Sequence, residues 1–260
     1  MALPMPGSKN QPHQTSPPRF LRTQRVAQGW IKRAETKSKN TWRPLVHIVT
    51  KLLPWPILRL TATTGDGASV QKEAKRLLEW KNAGLPVPEV LEIKPEYILI
   101  ADAGQSLRSW LTKETDPSCR LRVIKLAAQS LGTIHQLGFC HGRPFLKDIV
   151  YDGQRIAFID LEEDPAKVMP LATAQSRDLL LFIMSYTAIL NDKHQAVELQ
   201  AIINSYWTAN PSEQVRRELK NNLRLFYWIA LPLRLCPKWL LGRDGRHIVR
   251  ALKDAMWMED

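Results

Sequence analysis

The sequence predicts an α+β chain: a small strand-rich N-terminal part with one helix, then a mostly helical C-terminal part with one hairpin set between helices. Three observations predict it. Strand-like apolar runs at Ile57–Thr63 and Glu96–Ala101 flank a stretch with helical spacing. Ile149-Val150-Tyr151 and Arg155–Ile159 enclose Asp152-Gly153, the turn chemistry of a tight hairpin. After Pro170 the pattern is helical throughout, with helices near 172–190, 194–208, 212–230 and 243–257.

In chain order, residues 1–18 are rich in Pro with Gly, Ser, Gln and Asn, a composition that builds no core and predicts a disordered tail. Residues 19–54 read as a basic amphipathic N-terminal extension, with a short helix from about Phe20 to Ala34 and another around Pro44–Leu53. Residues 55–104 form the small strand-rich unit. Within it Ser69 looks like a helix N-cap, Ala74, Leu77, Leu78 and Lys81 continue the spacing, and Gly84 stops it. Pro86 and Pro88 open an extended piece, Glu89–Ile93, and Asp102-Ala103-Gly104 breaks the strand that ends at Ala101. Residues 105–260 make the helical unit, beginning with a short helix at Ser106–Leu111 and a strongly amphipathic one at Arg120–Leu137 that ends at Gly138.

At 260 residues and 44% hydrophobic, the chain is long and apolar enough for a substantial core. The central apolar run, Leu179–Leu190, is 12 residues long. A bilayer-spanning helix needs about 20. No stretch has the build of a secretory leader, and Cys119, Cys140 and Cys236 are an odd set without metal-ligand spacing. The expected location is therefore the cytoplasm.

The net charge of +12 is unevenly placed. Residues 1–60 carry eleven Lys and Arg against Glu35 alone, and 216–253 carry ten against Glu218 and Asp244, while 61–215 are mildly acidic. Seven of the nine tryptophans lie outside 61–206, so the basic flanks are also Trp-bearing. Phe226–Arg234 and Trp239–Arg243 suit peripheral contact with an anionic membrane surface, and suit ordinary core helices with solvated cations equally well. No helix-turn-helix, zinc finger or RNP-type aromatic signature is present, which argues against nucleic acid.

The chemistry concentrates in His141-Gly142-Arg143-Pro144-Phe145-Leu146-Lys147-Asp148-Ile149-Val150-Tyr151 and Ile156-Ala157-Phe158-Ile159-Asp160-Leu161-Glu162. A loop after a long helix, a tight hairpin and a strand ending in an acid bring Asp148 and Asp160 to one end of the hairpin. Two hard oxygen ligands there can hold Mg²⁺ with phosphate oxygens. Alternatively, Asp160 caps a loop and Asp148 opens a surface strand. Glu162-Glu163-Asp164 offers a further metal ligand or a solvated turn, and the adjacent Cys140 and His141 offer no facing nucleophile–base pair.

Over about residues 55–190 this order resembles the protein-kinase-like fold, in particular its small branch of lipopolysaccharide-core (Kdo/heptose) kinases, RIO kinases and the KEOPS-complex kinase. The resemblance implies two lobes, a small N-lobe sheet plus helix and a mainly helical C-lobe, with ATP and Mg²⁺ between them. The family loop H-G-D-x-x-x-x-N places His141 on the family His, Arg143 on the catalytic Asp and Asp148 on the metal-binding Asn. Asp160 matches the second metal ligand. Glu73-Ala74 with Gly84-Leu85-Pro86-Val87-Pro88 is similar to a run whose Glu pairs with a strand-borne cation, and Arg59 is the candidate cation. Asp102 and Lys147 are further candidate nucleotide contacts. Asp178, in Arg177-Asp178-Leu179, is the candidate brace of the catalytic-loop backbone, on a helix whose central place accounts for the apolar run.

Two departures matter. Residues 1–68 hold no glycine-rich phosphate loop, and Arg143 cannot accept a proton from a hydroxyl. Two readings follow. In one, the chain is an atypical phosphotransferase of the lipopolysaccharide-kinase-like group at the cytoplasmic membrane face, with an anionic-lipid or lipopolysaccharide-type acceptor. Arg143 then contacts a phosphate. In the other, it is a catalytically inactive pseudokinase that binds nucleotide or a partner protein.

Overall fold

The computed structural model describes residues 23–33, 57, 67–190 and 195–235. β1 (Thr23–Val26) and β2 (Gly29–Arg33) form a hairpin closed by Ala27-Gln28. β2 pairs in turn with β4 (Tyr97–Ala101), and β4 with β3 (Val90–Ile93), in an antiparallel sheet of order β1-β2-β4-β3. Gly29 permits the β2–β4 approach: a Cβ there would lie 2.1 Å from the Ile100 carbonyl oxygen.

This hairpin corrects the expected helix at Phe20–Ala34. Arg, Gln and Ala favour helix locally, but pairing along β4 and burial of the Lys32 side chain decide for strand. The sheet therefore begins upstream of residue 55, inside the segment read as a basic extension. The expected helix at Pro44–Leu53 and all of the Ile57–Thr63 strand but Ile57, which is buried, lie outside the described residues.

Helix α1 (Gly67–Asn82) lays Val70, Ala74, Leu77 and Trp80 against the core. Ser69 sits inside its first turn rather than capping it. At the other end Gly84 adopts φ 72°, and the Gly84 and Leu85 N–H groups donate to the Lys81 and Trp80 carbonyls, closing the helix as a left-handed glycine does.

The second sheet, of order β5-β6-β7, joins Gln105–Ser106 (β5) to the hairpin Ile149–Tyr151 (β6) and Ile156–Phe158 (β7). Helix α2 (Leu107–Lys113) is capped by Ser106, whose side chain accepts from the Ser109 N–H. Helix α3 (Pro117–Gln136) is capped by Asp116, with Pro117 at its first position. Helices α4 (Leu171–Thr187), α5 (Gln195–Ala209) and α6 (Glu213–Leu235) complete the helical part.

Helix α3 packs on α5 through Gly132, where a Cβ would lie 2.7 Å from the Tyr206 carbonyl oxygen, and α4 packs on α6. Ile124, Leu131, Ile134, Leu179, Phe182, Tyr186, Ile202 and Tyr206 are almost wholly buried, at about 1.5–3 kcal/mol for each large aliphatic side chain. The apolar run from Leu179 is thus largely the core face of α4 and the turn after it. Among the described residues no helix is long and apolar enough to cross a membrane. The small sheet with its helix, followed by a helical part carrying the hairpin, is the expected α+β order. The helix expected at 243–257 lies outside the described residues.

Candidate active site

A cleft of about 520 Å³ opens between the first sheet and the β6–β7 hairpin. Trp30, Pro88, Ile100, Val150 and Ile159 give it an apolar slot, and Lys32, Glu73, Lys147, Asp148 and Asp160 give it a charged end. An apolar slot with a few convergent polar groups is the usual build of a small-molecule site.

Lys32, on β2, is the centre of the charged end. Its Nζ lies 2.7 Å from Glu73 Oε2, 2.6 Å from Asp160 Oδ1 and 3.0 Å from Glu162 Oε1. Burial alone would lower the ammonium's affinity for its proton, but the three carboxylates outweigh it and raise the pKa above the ordinary lysine value. The oxygens of Glu73, Asp160 and Glu162 lie within 4.8 Å of one another, so this acidic cluster is held around an internal cation. Arg59 lies outside the described residues, and the cation that meets Glu73 is Lys32. Composition hides it, because Lys32 is one more charge in a basic segment. Its local signal is the β-prone pair Trp30-Ile31, directly after Gly29 at a two-residue turn.

The hairpin sets the opposite wall. The Ile159 N–H donates to the Asp148 carbonyl at 3.0 Å, which ties the start of β6 to the end of β7 and places both acids at one end. Asp160 has φ 66°, a left-handed conformation that Asp tolerates better than most residues. Asp148 is buried, and its Oδ2 has no protein partner. Burial, and then the neighbouring Asp160, push its carboxyl up to about 6. An orphaned buried carboxylate oxygen beside a second carboxylate suits a hard divalent cation, so Asp148 and Asp160 fit the metal-holding role. Lys147 lines the same cleft, half exposed, with Nζ 3.6 Å from Asp148 Oδ1.

The loop before the hairpin is held from behind. Asp178 accepts the backbone N–H groups of His141 and Gly142 at 2.6 and 2.9 Å, the bracing role implied for it. Gly142 has φ 106°, and a Cβ there would lie 2.8 Å from Glu163 Cβ, so the two loops touch through a residue without a side chain. His141 is fully buried, with Nε2 3.0 Å from the Ile159 carbonyl and Nδ1 accepting from the Arg143 N–H. Burial lowers its pKa to about 4, so the ring is neutral. Both ring nitrogens are thus spent on backbone groups, and His141 does not line the cleft.

Arg143 turns toward the acids. Its Nη2 lies 3.1 Å from Asp160 Oδ2 and its Nη1 3.7 Å from Glu163 Oε1. Asp102 accepts from the Gly104 N–H, pairs with Arg25 at 2.7 Å and lines a surface hollow that adjoins the central cleft. Glu163 and Asp164 serve ion pairs to Arg177 and Lys167. Cys140 is buried, and burial pushes its thiol up to about 12, far from a nucleophilic thiolate.

One residue escaped the sequence reading altogether. Arg76, one turn beyond Glu73 on α1, is 9% exposed and donates to the carbonyls of Cys140, His141, Leu161 and Glu163. A single guanidinium thereby ties α1 to the loop before β6 and to the segment after β7. Only the three-dimensional approach of these loops distinguishes Arg76 from its neighbour Lys75, which is exposed.

No family model matches the chain. It is similar to an uncharacterized protein of Haemophilus influenzae, 28% identical over 95 residues, which are 36% of this chain and 39% of that protein. The match thus spans well under half the length of that relative. Among solved structures it is similar to WaaP in complex with acyl carrier protein, at 14% identity and a TM-score of 0.44, over 62% of this chain and 74% of that chain.

Proposed function

We propose that the cleft binds a nucleoside triphosphate, ATP by resemblance, together with Mg²⁺, and that the chain is an atypical phosphotransferase of the lipopolysaccharide-kinase-like group. One observation carries this reading: Lys32, pinned by Glu73 and Asp160, shares a cleft with Asp148, whose buried oxygen has no protein partner. Asp148 and Asp160 would hold the cation, which when bound neutralises phosphate charge. Lys32, oriented by Glu73, provides a fixed positive charge for phosphate oxygens. The slot of Trp30, Ile100, Val150 and Ile159 suits the flat face of a base. Phosphoryl transfer depends mainly on positioning and electrostatics, so activity can survive without a carboxylate at position 143. An anionic-lipid or lipopolysaccharide-type acceptor at the cytoplasmic membrane face fits the basic Trp-bearing flanks, a matter for co-sedimentation with anionic and neutral vesicles.

The pseudokinase reading rests on a separate observation: Arg143 holds Asp160 and cannot take up a proton. Binding and turnover separate the two. ATP with Mg²⁺ is expected to raise the melting temperature, and Asp160→Ala to abolish the rise. No shift with any nucleotide would sink the nucleotide site itself. A shift without phosphate transfer to lipid, protein or small-alcohol acceptors would favour the pseudokinase.

A further inference from the structure

Both carboxylate oxygens of Asp160 face side-chain cations. Oδ1 lies 2.6 Å from Lys32 Nζ, and Oδ2 lies 3.1 Å from Arg143 Nη2. The acid across from it is in the opposite state, since Asp148 is buried with Oδ2 unpartnered. A divalent cation shared by the two acids therefore meets one waiting oxygen and one carboxylate already neutralised.

The two hold-downs on Asp160 differ. Lys32 is nearly buried and is also fixed by Glu73 and Glu162. The Arg143 side chain is 36% exposed, and its Nε–H is buried without an acceptor. The inward pose thus leaves one guanidinium donor unsatisfied, a penalty that swinging into water removes. Glu163, 3.7 Å from Nη1, offers the guanidinium a second anchor next to the first.

We infer that Arg143 is a built-in competitor of the divalent cation, a guanidinium latch that occupies Asp160 Oδ2 and must be displaced before Asp160 ligates a metal. This rests on Asp148 and Asp160 being the metal ligands. Coulomb repulsion opposes a guanidinium and a divalent cation on the same carboxylate, so each weakens the other's hold. The residue standing where the family has its base then regulates metal entry.

The test uses Mn²⁺ alone, without nucleotide, titrated into the full chain and followed by the paramagnetic resonance signal of free Mn²⁺. Arg143→Gln is expected to bind Mn²⁺ about tenfold more tightly than the unaltered chain. Arg143→Lys, which keeps the charge, is expected to stay close to the unaltered chain, and adding Asp160→Asn to Arg143→Gln to erase the gain. Equal affinity in the Gln variant and the unaltered chain, with Asp160→Asn still weakening it, overturns the latch and leaves the ligand assignment standing. No Mn²⁺ binding by any variant that retains a native circular dichroism spectrum overturns both. A gain that survives Asp160→Asn also overturns the latch.

Discussion

The two walls of the cleft keep their charges in different ways. On the sheet side, the Lys32 and Glu73 side chains are 10% and 1% exposed, 2.7 Å apart, with Arg76 clamping the helix that carries Glu73. On the loop side, Arg143 and Asp160 form a longer pair at 36% and 18% exposure. Breaking a buried pair strands a charge away from water and costs several kcal/mol, whereas a pair open to solvent is worth about 1 kcal/mol or less. The Lys32–Glu73 pair is therefore part of the fold, while Arg143 is free to exchange partners.

That contrast is open to attack at each residue. The largest effect is expected from Lys32→Ala, which leaves Glu73, Asp160 and Glu162 facing one another without their cation. Urea unfolding at pH 7 should show a loss of about 3–5 kcal/mol. A loss below ~1 kcal/mol would place the sheet wall in the same class as the loop wall.

Arg76→Met comes next. Four backbone carbonyls lose their common donor, and a loss of about 2–4 kcal/mol is expected, with Arg76→Lys recovering only part of it because an ammonium lacks the planar fork. Faster amide hydrogen exchange in residues 139–143 and 161–163 would accompany it. Full rescue by Lys would mean that charge, not geometry, holds the loops.

Asp148→Asn should act in the opposite direction and depend on pH. The folded-state carboxyl titrates near 6 against an ordinary value of 3.8, so the folded state holds its proton longer than the unfolded chain. Stability then falls as pH rises through this window and levels off above it. The Asn variant should gain about 1–2 kcal/mol at pH 7 and nothing at pH 3. An equal gain at both pH values would dissociate the effect from ionisation.

The smallest change in stability belongs to Arg143→Gln, within about 1 kcal/mol and shrinking further in high salt. Thermal melts at low and high ionic strength read it directly. A loss near that of Lys32→Ala would erase the distinction between the walls.

Much of the helical part is legible: Gly84 and Gly138 end helices at positive φ as the spacing predicts, whereas the helix expected from Arg120 begins earlier, at Pro117 behind the Asp116 cap, and Ser106 caps its helix rather than lying inside it. The Ile149–Phe158 hairpin follows from strand pattern and turn residues alone, and with it the pairing of Asp148 and Asp160 at one end. The first hairpin was not legible from composition, since Thr23–Arg33 is dominated by residues whose local preference is weak or helical. Its strands form because β4 offers an edge to pair with.

What the sequence by itself determined is local: where elements start and stop, which faces are apolar, and that two acids sit one hairpin apart. Those properties depend on spacing and caps, which act within a few residues. The tertiary structure alone decided which cation meets Glu73, that Arg76 spans two loops, and that Arg143 closes on Asp160. Each of these joins residues 17 to 87 positions apart, through distances that chain folding sets and that no residue's own propensity encodes.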